Sequence, residues 1–265
     1  MPRPDRAGRS RTLIRSVLAS AALFLTPLVG LAPNAQAIIN GKPVTESDAY
    51  AHAVVGVVPI DEYGHPGACT GILLTPRAVL TAAHCVSDKE IKSISVVFDL
   101  KLGGTHKVAV TRTVVHPDFK HEEDKFNPGD LAIVFLAGHT NPTAIIPFDH
   151  DLTFTDGQQF VFLGYGRSEA NRFRSTGVLR KAAIAATGYD TPREVELKPL
   201  SDAWPCGGDS GGPILRKDMS GRYAISGIMN TVFAGPAGEC LFLGSSMAPI
   251  HSYTDWITKT LASGN

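Results

Sequence analysis

The chain predicts an all-β fold of antiparallel strands, and three observations predict it. Short β-type runs recur throughout, separated by Gly, Pro, Asn and Asp, the signature of a sandwich or barrel. Helical periodicity is convincing only at the end, over Ile250–Ala262. No GxGxxG follows a strand, and there is no P-loop and no internal repeat, which excludes the common nucleotide-binding α/β designs. Examples, in order, are Ala53–Ile60, Gly71–Leu74, Ala78–Thr81, Ile94–Phe98, Lys107–Val115, Leu131–Leu136, Phe160–Leu163, Leu179–Ala185, Pro213–Leu215, Tyr223–Met229 and Leu241–Leu243. The Pro-, His- and Asp-rich stretch 141–156 reads as a linker between two halves.

With 265 residues, 43% hydrophobic and 19% charged, the chain can bury one large β domain or two lobes. Its N-terminus stands apart from that fold. Arg3, Arg6, Arg9, Arg11 and Arg15 precede an apolar run from Val17 to Leu31, followed by the small-x-small site Ala35-Gln36-Ala37. Pro27 and Gly30 make the run a poor membrane span. Residues 1–37 are therefore expected to be a secretory signal peptide, with an uncleaved membrane anchor as the alternative, leaving a domain of 38–265. Removal of five arginines and Asp5 leaves 20 Lys and Arg against 24 Asp and Glu, a net charge of −4. That balance argues against nucleic-acid binding. No second apolar stretch is long enough to cross a membrane, so a secreted protein without stable membrane association is expected. Nothing in the sequence reports the oligomeric state. Cys69, Cys85, Cys206 and Cys240 all lie in the exported part, where an even count favours disulfides. No Cys-x-x-Cys occurs, so a structural zinc site is not expected, and three disulfide pairings stay open.

The chemistry centres on Cys206-Gly207-Gly208-Asp209-Ser210-Gly211-Gly212-Pro213. Glycines let the backbone turn so that successive N–H groups converge, and the amides of Gly208 and Ser210 form a candidate oxyanion hole around a nucleophilic Ser210. Taken alone, the motif also reads as a glycine-rich turn with a solvated serine. A serine nucleophile needs a base and an orienting acid. Val79-Leu80-Thr81-Ala82-Ala83-His84-Cys85 offers the base: a strand runs into a small-residue turn where His84 emerges. Asn127-Pro128-Gly129-Asp130, opening the apolar run to Leu136, offers the acid. A carboxylate in so apolar a place needs a hydrogen-bond partner, and the Nδ1–H of His84 would supply one.

These residues, with Ile38-Ile39-Asn40-Gly41, Gly164-Tyr165-Gly166 and Asp255-Trp256-Ile257 in the same order, make the chain resemble the chymotrypsin/trypsin-like serine proteases over essentially the whole of 38–265. The resemblance implies two antiparallel six-stranded β-barrels with a catalytic cleft between them and a C-terminal helix. It implies Ser210 as nucleophile, His84 as general base and acid, Asp130 as orienting carboxylate, and an oxyanion hole at Gly208 and Ser210, with protein or peptide substrates and no cofactor or metal. It selects the disulfides Cys69–Cys85 and Cys206–Cys240. It also implies that a free α-amino group at Ile38 pairs with Asp209 and organises the oxyanion hole. Because the expected signal cleavage leaves Ile38 first, secretion itself would activate the enzyme; otherwise Ile38-Ile39 simply starts an edge strand.

The departures fall at the substrate pocket. Trp204, followed by Pro205, stands where trypsin-like members hold Arg or Lys with an aspartate. An indole cannot neutralise a cation, so cleavage after Arg or Lys is not expected. Asn230-Thr231-Val232 resembles the substrate-pairing strand, with Val232 narrowing the entrance and Ser245 replacing a second wall glycine. The pocket is thus either small and suited to small apolar side chains, or occluded by Trp204. Asn230 replaces a serine that usually supports the catalytic acid. His116, Asp118, His121, Glu122, Glu123 and Asp124 read as a solvated loop in preference to a metal site. Two other classes compete: a catalytically silent binding protein on the same fold, and an esterase-like hydrolase. The order His84, Asp130, Ser210 and the lack of a Gly-x-Ser-x-Gly elbow argue against the second.

Overall fold

The computed structural model describes residues 38–120, 127–138, 140, 145–151, 153–169, 175–232, 240 and 244–264, with the backbone alone at 189 and 190. The expected signal segment 1–37, the acidic stretch His121–Asp124 and the run Leu241–Leu243 lie outside them.

Thirteen strands are described among these residues: β1 (Lys42–Pro43), β2 (Val54–Asp61), β3 (Cys69–Thr75), β4 (Ala78–Thr81), β5 (Ile91–Val97), β6 (Lys107–Val115), β7 (Ala132–Leu136), β8 (Gln159–Gly164), β9 (Arg180–Thr191), β10 (Glu194–Pro199), β11 (Pro213–Lys217), β12 (Tyr223–Val232) and β13 (Ser245–Pro249). Strands β2 to β7 close into one barrel in the order β2-β3-β4-β7-β6-β5, with β5 returning to β2. Strands β8 to β13 close into a second, β8-β9-β10-β13-β12-β11, and β1 adds to the outer edge of β9. Every pairing between strands is antiparallel.

Side-chain alternation explains why two barrels form and why they pack together. Along β2, Val55 and Val57 point into the first barrel with Leu73, Val79, Val96 and Val134. Their neighbours Val54, Ile72, Leu80 and Ile133 point the other way, onto Leu163, Leu215, Ile228 and Tyr253 of the second half. Strands β4 and β7 are therefore buried on both faces, which is why they read as unbroken apolar runs. Each buried Val, Leu or Ile contributes about 1.5–3 kcal/mol relative to exposure. The second barrel fills with Phe160, Phe162, Ile184, Val195, Ile214, Met229 and Met247, and Ile38 joins this cluster.

The chain end differs slightly from the expected helix. Ile250–Tyr253 forms a 3₁₀ turn, and the α-helix α1 spans only Thr254–Ala262. Proline at 249 sets an extended backbone just before it, so the first turn tightens. The loop reading of His116 also needs correction. It is 9% exposed, with its ring edge-on to Tyr253 and Trp256 at centroid distances of 5.2 and 4.9 Å. Asp118 pairs with Arg193 instead of standing free in solvent.

Candidate active site

Strand β4 ends at Thr81, and a 3₁₀ turn over Ala83–Cys85 swings His84 outward while Ala82 and Ala83 stay fully buried. Cys85 is bridged to Cys69 at the start of β3, so both ends of the β3–β4 hairpin are tied beside the imidazole. Asp130 is set by a tight turn before β7. Gly129 takes φ +85°, and the Asp130 N–H donates to the Asn127 carbonyl at 3.1 Å. A side chain at Gly129 would run into His116 Nδ1, and its N–H donates to the Tyr253 hydroxyl at 3.1 Å.

These two turns meet. The backbone N–H of His84 donates to Asp130 Oδ1 at 2.9 Å, and its Nδ1 lies 2.7 Å from Oδ2. Asp130 is 5% exposed, so its charge is compensated by one residue through two bonds. That double contact fixes the ring plane and, with the proton on Nδ1, leaves Nε2 free to accept one.

The Cys206–Pro213 loop that carries Ser210 is held against this pair from the second barrel. Gly208 and Gly211 adopt φ +99° and +81°. A Cβ at Gly211 would overlap Thr70 O and Thr81 Oγ1, so no other residue fits there. Thr70 on β3 is the central tie: its N–H donates to Ser210 O at 2.9 Å, and its hydroxyl donates to Gly208 O at 3.0 Å. The same hydroxyl accepts from Tyr165 N at 3.0 Å, and Thr81 Oγ1 donates to Thr70 O at 2.7 Å. Cys85 Sγ lies 3.8 Å from Ser210 O, which puts the serine beside the His84 turn. Among the described residues, the Ser210 hydroxyl makes no hydrogen bond, and the amides of Gly208 and Ser210 donate to no protein acceptor. The sequence reading did not single out Thr70, whose one signal is its place next to Cys69.

The Trypsin family model matches residues 43–257, most of the chain. The chain belongs to the trypsin family. It is 26% identical to the neutrophil elastase of Mus musculus over 259 residues, covering 92% of this chain and 90% of that protein. An uncharacterized peptidase of Corynebacterium glutamicum is 24% identical, with 91% and 79% covered. Phenoloxidase-activating factor 1 of Holotrichia diomphalia is 23% identical, with 86% and 71% covered. Membership supports a peptidase function. At these identities the residue roles rest on the site itself.

In this trypsin-family chain, Asp209 beside Ser210 is fully buried. Oδ1 accepts from Gly166 N at 2.7 Å and Oδ2 from Cys206 N at 2.9 Å. Burial outweighs these two bonds and pushes its pKa up to about 7. Side chains at Gly164 or Gly166 would overlap the carboxylate, which explains the Gly-Tyr-Gly sequence. Ile38 is 0% exposed, and Ile39 and Trp204 exchange backbone hydrogen bonds of 3.0 and 3.2 Å.

The pocket residues are placed as follows. Trp204 is half-buried, packs with Ile39 and the Cys206–Cys240 bridge, and donates Nε1–H to Cys240 O at 2.9 Å. Pro205 is buried beside it. Val232 pairs with Ser245 and packs against the core of the second barrel, while Ser245 is 3% exposed. Thr231 is half-buried opposite Ser246. Asn230 Oδ1 accepts from Ser246 Oγ at 3.0 Å across β12 and β13, and among the described residues no hydrogen bond joins Asn230 to Asp130. Cys69, Cys85 and His84 bring their ligand-type atoms within 4.8 Å, but a bridged sulfur offers no thiolate, so this is no metal site.

Proposed function

We propose that the protein is a secreted serine endopeptidase working through an acyl-enzyme. The doubly bonded His84–Asp130 pair carries this reading. His84 Nε2 takes the Ser210 proton as Oγ attacks the scissile carbonyl, while Asp130 steadies the imidazolium. The amides of Gly208 and Ser210 receive the oxyanion. His84 then protonates the leaving amine, the peptide bond breaks, and water releases the acyl group by the reverse sequence. These roles are those of the family's reference triad, placed on this chain's residues.

Signal cleavage after Ala37 would expose the Ile38 α-amino group, whose positive charge would neutralise Asp209 and fix the nucleophile loop. Substrate preference follows from Trp204. Its indole, committed to Cys240 O, supplies no charge for Arg or Lys, so small apolar side chains are favoured before the cleaved bond.

The test is fluorophosphonate labelling of secreted protein and peptide-library cleavage, alongside Ser210→Ala. Labelling at Ser210, lost in the variant, with cleavage after Ala or Val, is the expected result. Cleavage after Arg or Lys overturns the pocket alone. Protein that begins at Ile38 yet does not label is a silent binding protein on the protease fold.

A further inference from the structure

Among the described residues Arg180 is the one lysine or arginine that is buried, at 4% exposure. Its Nη1 donates to the Gly41 carbonyl, while its buried Nε has no hydrogen-bond partner. Burial pushes its pKa down, and no carboxylate opposes the shift. Burying a guanidinium this way is unfavourable, and an apolar side chain of similar volume would avoid the desolvation. Its place in the fold suggests what it does there.

Arg180 opens β9 and faces a different strand on each side. Across one edge it pairs with Pro43 of β1, which continues from the Ile38–Gly41 turn. Across the other it pairs with Gly164 of β8, which lies directly against the Asp209 carboxylate. The turn passes through the left-handed region at Asn40, φ +53°. The turn is closed by Gly41 N donating to Ile38 O at 2.8 Å, and Ile39 and Asn40 tie its other flank to Trp204 and the Asp202 carbonyl. On the Gly41 side, the Arg180 guanidinium adds a side-chain bond at Gly41 O to the backbone pairing of β1 with β9 and the bond from Val44 N to Leu179 O.

We propose that Arg180 is a positioning residue for activation: through the Gly41 carbonyl it holds the Ile38–Gly41 turn in register with β8, so that an α-amino group at Ile38 is delivered to Asp209. The proposal rests on the reading that those two groups pair. It differs from a general stabilising role, because it requires the terminus, and not only the fold, to respond to Arg180.

The experiment uses mature protein beginning at Ile38, with Arg180→Met and Arg180→Lys. A small amine-acylating reagent is applied under native conditions, and modification of the N-terminal peptide is timed by mass spectrometry. In the parent the α-amine should react at least about 10-fold more slowly than that of a free peptide of the same sequence. Arg180→Met should lose most of that protection and lower kcat/KM by about 10- to 100-fold, the scale of small misplacements in a catalytic site. Arg180→Lys, which keeps a donor on a long stem, should recover most of both. Wild-type protection and activity in folded Arg180→Met would overturn the proposal, as would a lower melting temperature with protection unchanged. If Arg180→Met does not fold, Arg180→Gln is scored by the same two readouts. A parent α-amine as reactive as the free peptide would instead remove the Ile38–Asp209 pair, and the proposal with it.

Discussion

Two opposing effects act on the His84 imidazole. Burial works against its charged form, but the hydrogen bond and negative charge of Asp130 outweigh it, and the pKa ends above its ordinary 6.5. As a general base must be neutral, the role proposed for His84 predicts that kcat/KM rises with pH through a midpoint above 6.5. Asp130→Asn removes the charge and favours the wrong tautomer. The acid limb should then move to lower pH and kcat fall about 10⁴-fold, the size known for this change in the family's reference triad. A pH–rate profile of both proteins checks this. The stability contribution has the same origin: it is complete below pH 6.5 and is lost as pH rises through the folded pKa. With the ring 41% exposed, solvent keeps it small. His84 and Asp130 were legible because small residues or a glycine turn precede each. The environments of His116 and Asn230 were not, because Tyr253 comes from the far end of the chain and Ser246 from the neighbouring strand β13, which showed no strand pattern.

Among the elements, β3 has the widest reach, because Thr70 ties the nucleophile loop and the Gly164–Gly166 segment to the first barrel. Thr70→Val keeps the shape but leaves Gly208 O and Tyr165 N without their hydroxyl partner. We expect a loss of about 1–3 kcal/mol in urea unfolding, with kcat falling as the loop loosens. Unchanged stability and kcat would mean that the disulfides hold the loop alone. Strands that alternate or run apolar, such as β6 and β7, were read from sequence nearly to the residue. Three strands were missed for physical reasons. In β1 only two residues pair, too few to show a pattern. In β10, Glu-Val-Glu-Leu-Lys-Pro exposes Glu196 and Lys198, buries Glu194 and ends in proline. In β13, Ser-Ser-Met-Ala-Pro is buried by small residues rather than β-branched ones. The start of α1 was placed early because Ile250 and Tyr253 continue the apolar spacing through the 3₁₀ turn.

For the whole molecule, the buried Asp209 makes stability depend on pH. A carboxyl raised from 3.8 to about 7 on folding binds its proton more tightly in the native state. Stability of the chain retaining residues before Ile38 should therefore fall as pH rises from about 4 to 7 and level off above. An α-ammonium at Ile38 opposes that rise in pKa, so the mature form should show a shallower fall. Thermal unfolding of the two Ser210→Ala forms between pH 4 and 8 compares them directly. Parallel curves would mean that Asp209 finds no new partner on cleavage. The two-barrel arrangement itself was available only through the resemblance, since alternation along each strand is equally compatible with one sandwich.

The shared layer formed by Val54, Ile72, Leu80, Ile133, Leu215 and Ile228 has a consequence for the protein's history of assembly. One half carries His84 and Asp130 and the other carries Ser210, so neither half alone holds a complete set. On the proposed roles, a chain whose two apolar faces have not docked cannot bring His84 and Ser210 together, so hydrolysis requires that shared layer to be complete.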